Sequence, residues 1–488
     1  MNINTDALNL QSVLFVVGIL LQILGVVMLI PGAVDAMDNN PDWLVFVQSA
    51  MATFFFGSIL ALSFRGVDRH LTQRSGYLIT VLSWLAVCAF GALPLWFSSL
   101  NLSLTNAFFE TMSGLTTTGA TVLSGLDAMA PGLLLWRSLL HWIGGAGIVL
   151  TAIIMLPMLR IGGMQLFRTE SSDISDKAMP KVYQIAIVTV IVYLALTMLC
   201  TAALYIAGMT GFDAVNHAMA TVATGGFSTK DASIGYFKSL PIELVIVFFM
   251  VAGSLPLVFY ARLALQWKHA PAMDPQIKVF LIIWVTLISI LTFWQVLANK
   301  APFLTALRQS TFNLTSILTD TGFSTTDYSA WGSFAQGIFF ISLLIGGCAG
   351  STAGAVKIFR WQILFGSMRL QLLRMLSQHR VLVLHYGLRI VDSEMTSSVR
   401  NFLFMYISTL AVMSVLLMAT GLDPLSSASS VAMAMAGAGI GLGPIVGPVG
   451  NFEPLTDAAK WILILSMLLG RLELSSIYVL LLRDFWRH

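Results

Sequence analysis

Ten apolar windows of about 20 residues each constrain this chain more than any other feature, and nine of them contain no Asp, Glu, Lys or Arg. They run Leu10 to Ile30, Trp43 to Phe64, Gly76 to Ser99, Ser138 to Leu159, Val182 to Ala207, Leu244 to Ala261, Val279 to Asn299, Gly332 to Val356, Phe402 to Gly421 and Trp461 to Leu482. A hydrocarbon core about 30 Å thick takes about 20 helical residues to cross, because every backbone polar group must be paired within the segment. The pattern predicts ten membrane spans. Only the tenth carries charge, Arg471 and Glu473, which is costly at that depth. With 57% hydrophobic and 10% charged residues, the 488-residue chain lies far from soluble domains, which excludes a soluble enzyme. A net charge of +3 excludes a nucleic-acid binder. Cys88, Cys200 and Cys348 sit in apolar stretches without CxxC spacing and say nothing of redox compartment. The run from Leu10 lacks a preceding basic region and a small-residue cleavage site, so it reads as a retained span.

Basic residues set the expected orientation. Nineteen of the 26 Lys and Arg fall on one side of the windows, six on the other, and Arg471 lies inside. Short cytoplasmic loops collect such residues, which places both termini in the cytoplasm. The longest polar stretches, Arg160 to Lys181 and Arg360 to Arg400, lie on that same side and are too short for a separate domain. Regulation is therefore expected from a partner chain.

The loops on the poorly charged side repeat. Phe109 to Thr121 reads FETMSGLTTTGAT, Asn216 to Ser228 NHAMATVATGGFS, Phe312 to Ser324 FNLTSILTDTGFS, and a weaker copy, Ser429 to Gly441, SSVAMAMAGAGIG. The aligned glycines, Gly119, Gly226, Gly322 and Gly439, are 107, 96 and 117 residues apart, giving four units of span, short apolar segment and span. A segment of about 10 to 12 apolar residues cannot cross a bilayer, so each enters and returns. Its non-helical return must be buried in protein or line water. Glycine permits dihedrals that aim successive carbonyls one way, and four such returns around an axis form a ring able to replace the hydration shell of a monovalent cation. The tripeptides concerned are Thr117-Thr118-Gly119, Thr224-Gly225-Gly226, Asp320-Thr321-Gly322 and Gly437-Ala438-Gly439.

With these segments, the stretches Gly163 to Asp173 (GMQLFRTESSD), Gly346 to Lys357 (GGCAGSTAGAVK) and Gly470 to Glu473 (GRLE) make nearly the whole chain resemble the TrkH-type membrane subunit of the Trk/Ktr/HKT superfamily of potassium transporters. The resemblance implies an all-α polytopic membrane protein, with two N-terminal spans (1–75) followed by four helix, re-entrant loop, helix repeats (76–160, 161–270, 271–380 and 381–488) around one pore. It further implies K+ as the transported ion with Na+ as the alternative, and no organic cofactor in this chain. The implied setting is a homodimer in the cell inner membrane, gated by a cytoplasmic TrkA-like ring that binds ATP/ADP or NAD(H). The fourth copy departs most from the pattern. Asp320 replaces the Thr of the first two copies; its carboxylate either raises the local cation concentration or caps backbone N–H groups.

Gly346, Gly347, Gly350, Ser351, Thr352 and Gly354 interrupt the eighth window, so a straight helix is not expected there. By resemblance this stretch is an intramembrane gate; its other reading is a GxxxG packing face. Arg471, by the same resemblance, meets the gate and sets a barrier to cations, the other reading being a structural ion pair. Glu473 is a poor partner for it, since i and i+2 do not face each other on a helix. Glu110 either adds negative potential or bonds nearby backbone. His141 and His217 read as packing histidines, and no HExxH or phosphate-binding loop occurs, so an intramembrane enzyme is not supported. An H+- or Na+-coupled secondary transporter is the main rival, but such folds usually carry inverted repeats, whereas these four units share one orientation.

Overall fold

The computed structural model describes residues 8–66, 72–154, 179–265, 274–376, 382–387 and 389–487. The Gly163 to Asp173 stretch lies outside the described residues. Among those described, seven helices are long and apolar enough to cross a membrane, or eight if one bent pair counts as a span. Seven of the expected windows coincide with such helices: Leu10–Met37, Trp43–Ser63, Gln73–Phe97, Pro131–Leu150, Gln184–Ile206, Pro275–Ala298 and Ser393–Met418. Polar residues start several of these helices by accepting a first-turn N–H, among them Thr72 from Ser75, Asp274 from Gln276 and Asp392 from Met395.

The remaining three windows are apolar but broken, not continuous helices. The sixth is split into Leu240–Ser254 and Leu257–Leu265, because Pro256 has no N–H and forces Leu255 to extend at ψ 155°. The eighth stops at Ile345 and resumes only at Ile358. The tenth is bent by 111° between Asp457–Arg471 and Ser475–Leu481, where Glu473 and Leu474 both take positive φ. All three breaks fall in the second helix of a repeat unit. A small antiparallel hairpin, Leu384–Tyr386 with Arg389–Val391, also lies in the long stretch expected to be merely polar.

Four units follow the first two helices. Each has a long helix, then a short one (Leu104–Leu115, Gly211–Val222, Phe303–Leu318 or Pro424–Ala436), then a return to a second long or broken helix. The inner turns of all four short helices are buried, so each is wrapped by protein and not by lipid. The first two helices pack closely: a side chain on Gly57 would come within 2.7 Å of the Gly18 carbonyl. They are fixed to the first unit by Asp35, whose Oδ1 accepts the Gly132 N–H at 2.6 Å, and by Asp42, which accepts from Ser99 N and Oγ at 3.0 and 2.7 Å.

Candidate functional site

The four short helices end alike. In each, the residue two before the aligned glycine has positive φ: Thr117 53°, Thr224 51°, Asp320 57° and Gly437 83°. The next amide then donates five residues back into the helix: Thr118 to Ser113, Gly225 to Ala220 and Thr321 to Ser316 at 2.8 Å, Ala438 to Met433 at 3.0 Å. This is the left-handed helix ending usually given to glycine or Asn. It explains the divergent fourth copy, in which Gly437 takes that conformation at no steric cost while its backbone matches the others. The glycines themselves also have positive φ, from 70° at Gly439 to 88° at Gly119, with negative φ between. Alternating handedness turns successive peptide groups toward one side.

The four turns close on one another in a ring. A Cβ at Gly119 would strike the Gly225 carbonyl, at Gly226 that of Thr321, at Gly322 that of Ala438, and at Gly439 that of Thr118. Each glycine is thus packed against the carbonyl preceding the glycine of the next unit, in cyclic order. All four predicted tripeptides come together here. Four helix C-termini converge on the same ring, each with a partial charge of about −0.5. The converging carbonyls and helix C-termini concentrate partial negative charge at one place in the molecule.

A second set of bonds braces the ring, and most of its members escape sequence reasoning. Nine residues before each aligned glycine stand Glu110, His217, Asn313 and Ser430. Glu110 accepts from Thr121 Oγ1 and Val122 N, both at 2.9 Å; His217 Nε2 meets Ser228 Oγ at 2.9 Å; Asn313 bonds Thr325 and Thr326. In the fourth unit the neighbouring Ser429 bonds Leu442 N and O at 2.8 Å. The aligned polar column was the available signal. Arg137, counted in sequence only as a basic residue outside the membrane, is buried instead. It pairs with Glu110 at 2.8 Å and donates to the Ser228 carbonyl at 3.0 Å. His141 spans the first two units, with Nδ1 on the Gly114 carbonyl and Nε2 accepting from Phe227 N, so it is a satisfied neutral histidine. Outside the ring, Gly235 bonds Ser324, Ser324 bonds Pro448, and Phe452 bonds Thr121, linking unit 2 to 3, 3 to 4 and 4 to 1.

Beneath the ring lies a small chamber lined by Thr116, Thr118, Gly354, Ala436, Gly437 and Arg471. The segment between Ile345 and Ile358 forms its far wall as a non-helical loop, which removes the helix-packing reading of its glycines. The loop is held from several sides. Thr352 Oγ1 donates at 3.0 Å within reach of both the Val222 and Gly253 carbonyls, Gly350 O accepts from Leu257 N at 2.9 Å, Ile358 N donates to Gly347 O at 3.1 Å, and Ser351 Oγ bonds Cys348 O at 2.6 Å. Gly354 packs against the Ala436 carbonyl so closely that no Cβ fits, and a Cβ at Gly346 would be 2.6 Å from Ala355. Arg471 reaches the loop, its Nη1 donating to the Thr352 carbonyl at 3.2 Å.

Glu473 does not pair with Arg471. It forms an ion pair with Arg360 and another, at 3.6 Å, with Lys357. Both basic residues are buried, because the bend at Glu473 brings its carboxylate to the end of the loop. Arg360 also stacks 3.7 Å over the Phe402 ring.

Comparison with known proteins agrees with this architecture. A family model described as TrkH, cation transport protein, matches residues 44–485. The Trk system potassium uptake protein TrkI of Halomonas elongata is 40% identical over 485 residues, covering 99% of this chain and 98% of that protein. TrkH of Salmonella typhimurium is 37% identical over 486 residues, covering 98% of this chain and 100% of that protein. The crystal structure of the potassium transporter TrkH from Vibrio parahaemolyticus superimposes with a TM-score of 0.90 at 34% identity, covering 98% of this chain and 100% of that one. The chain is a multi-pass membrane protein and belongs to the TrkH family of cation transport proteins.

Proposed function

We propose that this chain takes up potassium by conducting K+ through the ring of four re-entrant turns. The observation that carries the reading is the cyclic packing of Gly119, Gly226, Gly322 and Gly439 against the carbonyls of Gly225, Thr321, Ala438 and Thr118. A cation entering from the outer face exchanges water for the carbonyls of Thr117-Thr118-Gly119 and their three counterparts, and the helix C-termini offset its desolvation. Below, the loop from Gly346 to Lys357 obstructs the path, with Gly354 and Arg471 lining the chamber. The guanidinium repels a cation there until the loop moves.

The relatives named above are Trk system potassium uptake proteins, which supports K+ as the cargo, with Na+ as the competing ion. Both termini lie in the cytoplasm of a cell whose inner membrane holds the protein as a homodimer with one pore per protomer. A TrkA-like nucleotide-binding ring on the cytoplasmic side drives the loop. The test is K+ and Na+ flux into proteoliposomes containing wild-type protein or Gly119→Ser. Flux of K+ in preference to Na+, lost in the variant, is expected. Flux that requires a pH or Na+ gradient and ignores Gly119→Ser would establish a coupled transporter instead.

A further inference from the structure

Asp320 gives its backbone to the third ring turn, but its side chain points elsewhere. A Cβ at Gly346 would lie 3.3 Å from Asp320 Oδ2, so the carboxylate faces the start of the intramembrane loop. The Gly354 carbonyl, near the other end of that loop, lies 2.7 Å from the same Cβ position, and Gly354 lines the chamber together with Arg471. The residue is 1% exposed, and among the described residues neither carboxylate oxygen has a hydrogen-bond partner. The Arg471 guanidinium is buried too and uses Nη1 on the Thr352 carbonyl, while its Nε and Nη2 have no partner among the described residues. The hydroxyl of Tyr406 is likewise buried without a partner among the described residues.

A buried carboxylate and a buried guanidinium that share a field without completing their hydrogen bonds are in a costly arrangement. Direct pairing would relieve both. The loop touches both groups: Thr352 supplies the carbonyl that Arg471 bonds, and Gly346 and Gly354 lie beside Asp320.

We infer that Asp320 is the second seat of Arg471: when the loop withdraws the Thr352 carbonyl, the guanidinium swings onto the Asp320 carboxylate, leaving the ion path and losing its unpaired charge. Asp320 is then a positioning residue for the conducting state, acting through Arg471 and not by touching the ion with its side chain. The inference rests on the pore reading above.

The experiment is a double-mutant cycle on K+ flux in proteoliposomes, using the full chain as wild type, Asp320→Asn, Arg471→Gln and the pair. Asn tolerates the left-handed backbone at this position and matches the volume of Asp, so the ring turn is retained. Asp320→Asn is expected to lower K+ flux about tenfold, within the range of ordinary coupling energies, and by less than twofold once Arg471→Gln is present. The K+/Na+ ratio stays that of the wild type. As a second measurement, Thr352→Val removes the hydroxyl that anchors the loop to the Val222 and Gly253 carbonyls, so the backbone carbonyl that holds Arg471 can withdraw with Asp320 untouched; flux rises, and adding Asp320→Asn cancels the rise. Equal fold losses from Asp320→Asn with and without Arg471→Gln, or a gain of flux in Asp320→Asn alone, would overturn the inference while leaving the pore intact. Wild-type flux that survives Gly119→Ser would remove the pore and the inference together.

Discussion

Two glycines of the fourth unit, both with positive φ, differ in what surrounds them. Gly437 has φ 83°, and a Cβ there would meet nothing nearer than the Thr117 carbonyl oxygen at 3.8 Å. Gly439 has φ 70°, and its Cβ would lie 2.5 Å from the Thr118 carbonyl oxygen. Conformational strain alone costs about 1–2 kcal/mol for an ordinary residue and less for Asn. Gly437→Asn therefore adds little, consistent with Thr, Thr and Asp at the same place in the other units. Gly439→Ala bears the same strain plus an overlap relieved only by moving the Thr118 carbonyl about 0.9 Å, the gap between 2.5 Å and the 3.4 Å where contact becomes ordinary. Overpacking of this kind adds about 1–3 kcal/mol. A misplacement near 1 Å in a preorganised site costs on the order of 100-fold in rate. The assay is initial K+ uptake into proteoliposomes, with thermal unfolding in detergent as the control for folding. Gly437→Asn should stay within about threefold of wild type, and Gly439→Ala should fall about 100-fold. Equal losses in the two variants, or normal uptake by Gly439→Ala, would show that the carbonyl ring does not control permeation.

Other positions test the bracing and the loop. Glu110→Gln leaves Arg137 buried without its counter-charge and should destabilise the protein by about 3–5 kcal/mol, read as a lower unfolding temperature in detergent; an unchanged transition would mean that the pair is dispensable. Thr352→Val keeps the side-chain volume but removes the hydroxyl that reaches the Val222 and Gly253 carbonyls, a loss of about 1–3 kcal/mol in loop anchoring. K+ flux without any regulatory subunit should rise about tenfold, and no change would mean that the loop is held chiefly by its other bonds.

Local composition made much of this architecture legible. Spans follow from windows free of charge, and the four turns follow from glycines recurring in register, even in the fourth copy where only Gly439 and small neighbours survive. The interruption at Gly346 to Gly354 was equally visible, since so many small residues cannot hold a straight apolar helix. Partnerships across the chain were not visible. Arg137 and Ser228 are 91 residues apart, and Arg360 and Glu473 113, so nothing near either member signals the other. The burial of Lys357 and Arg360 against Glu473 was hidden in the same way. The breaks at Leu255 and Glu473 were missed for a different reason. A hydropathy window adds up transfer energies and does not register one missing N–H at Pro256 or two left-handed residues at 473 and 474.

Because one polypeptide supplies all four quarters of the ring, its symmetry belongs to the backbone and not to the side chains. In a channel assembled from four identical subunits, any substitution appears four times. An acid behind each quarter would then place four like charges around one axis, and an arginine below would do the same with opposite sign. Gene-internal repetition lifts that constraint. A single carboxylate at position 320 can be matched to a single guanidinium at 471, and one quarter can specialise in control while the remaining three keep the shape that an ion requires.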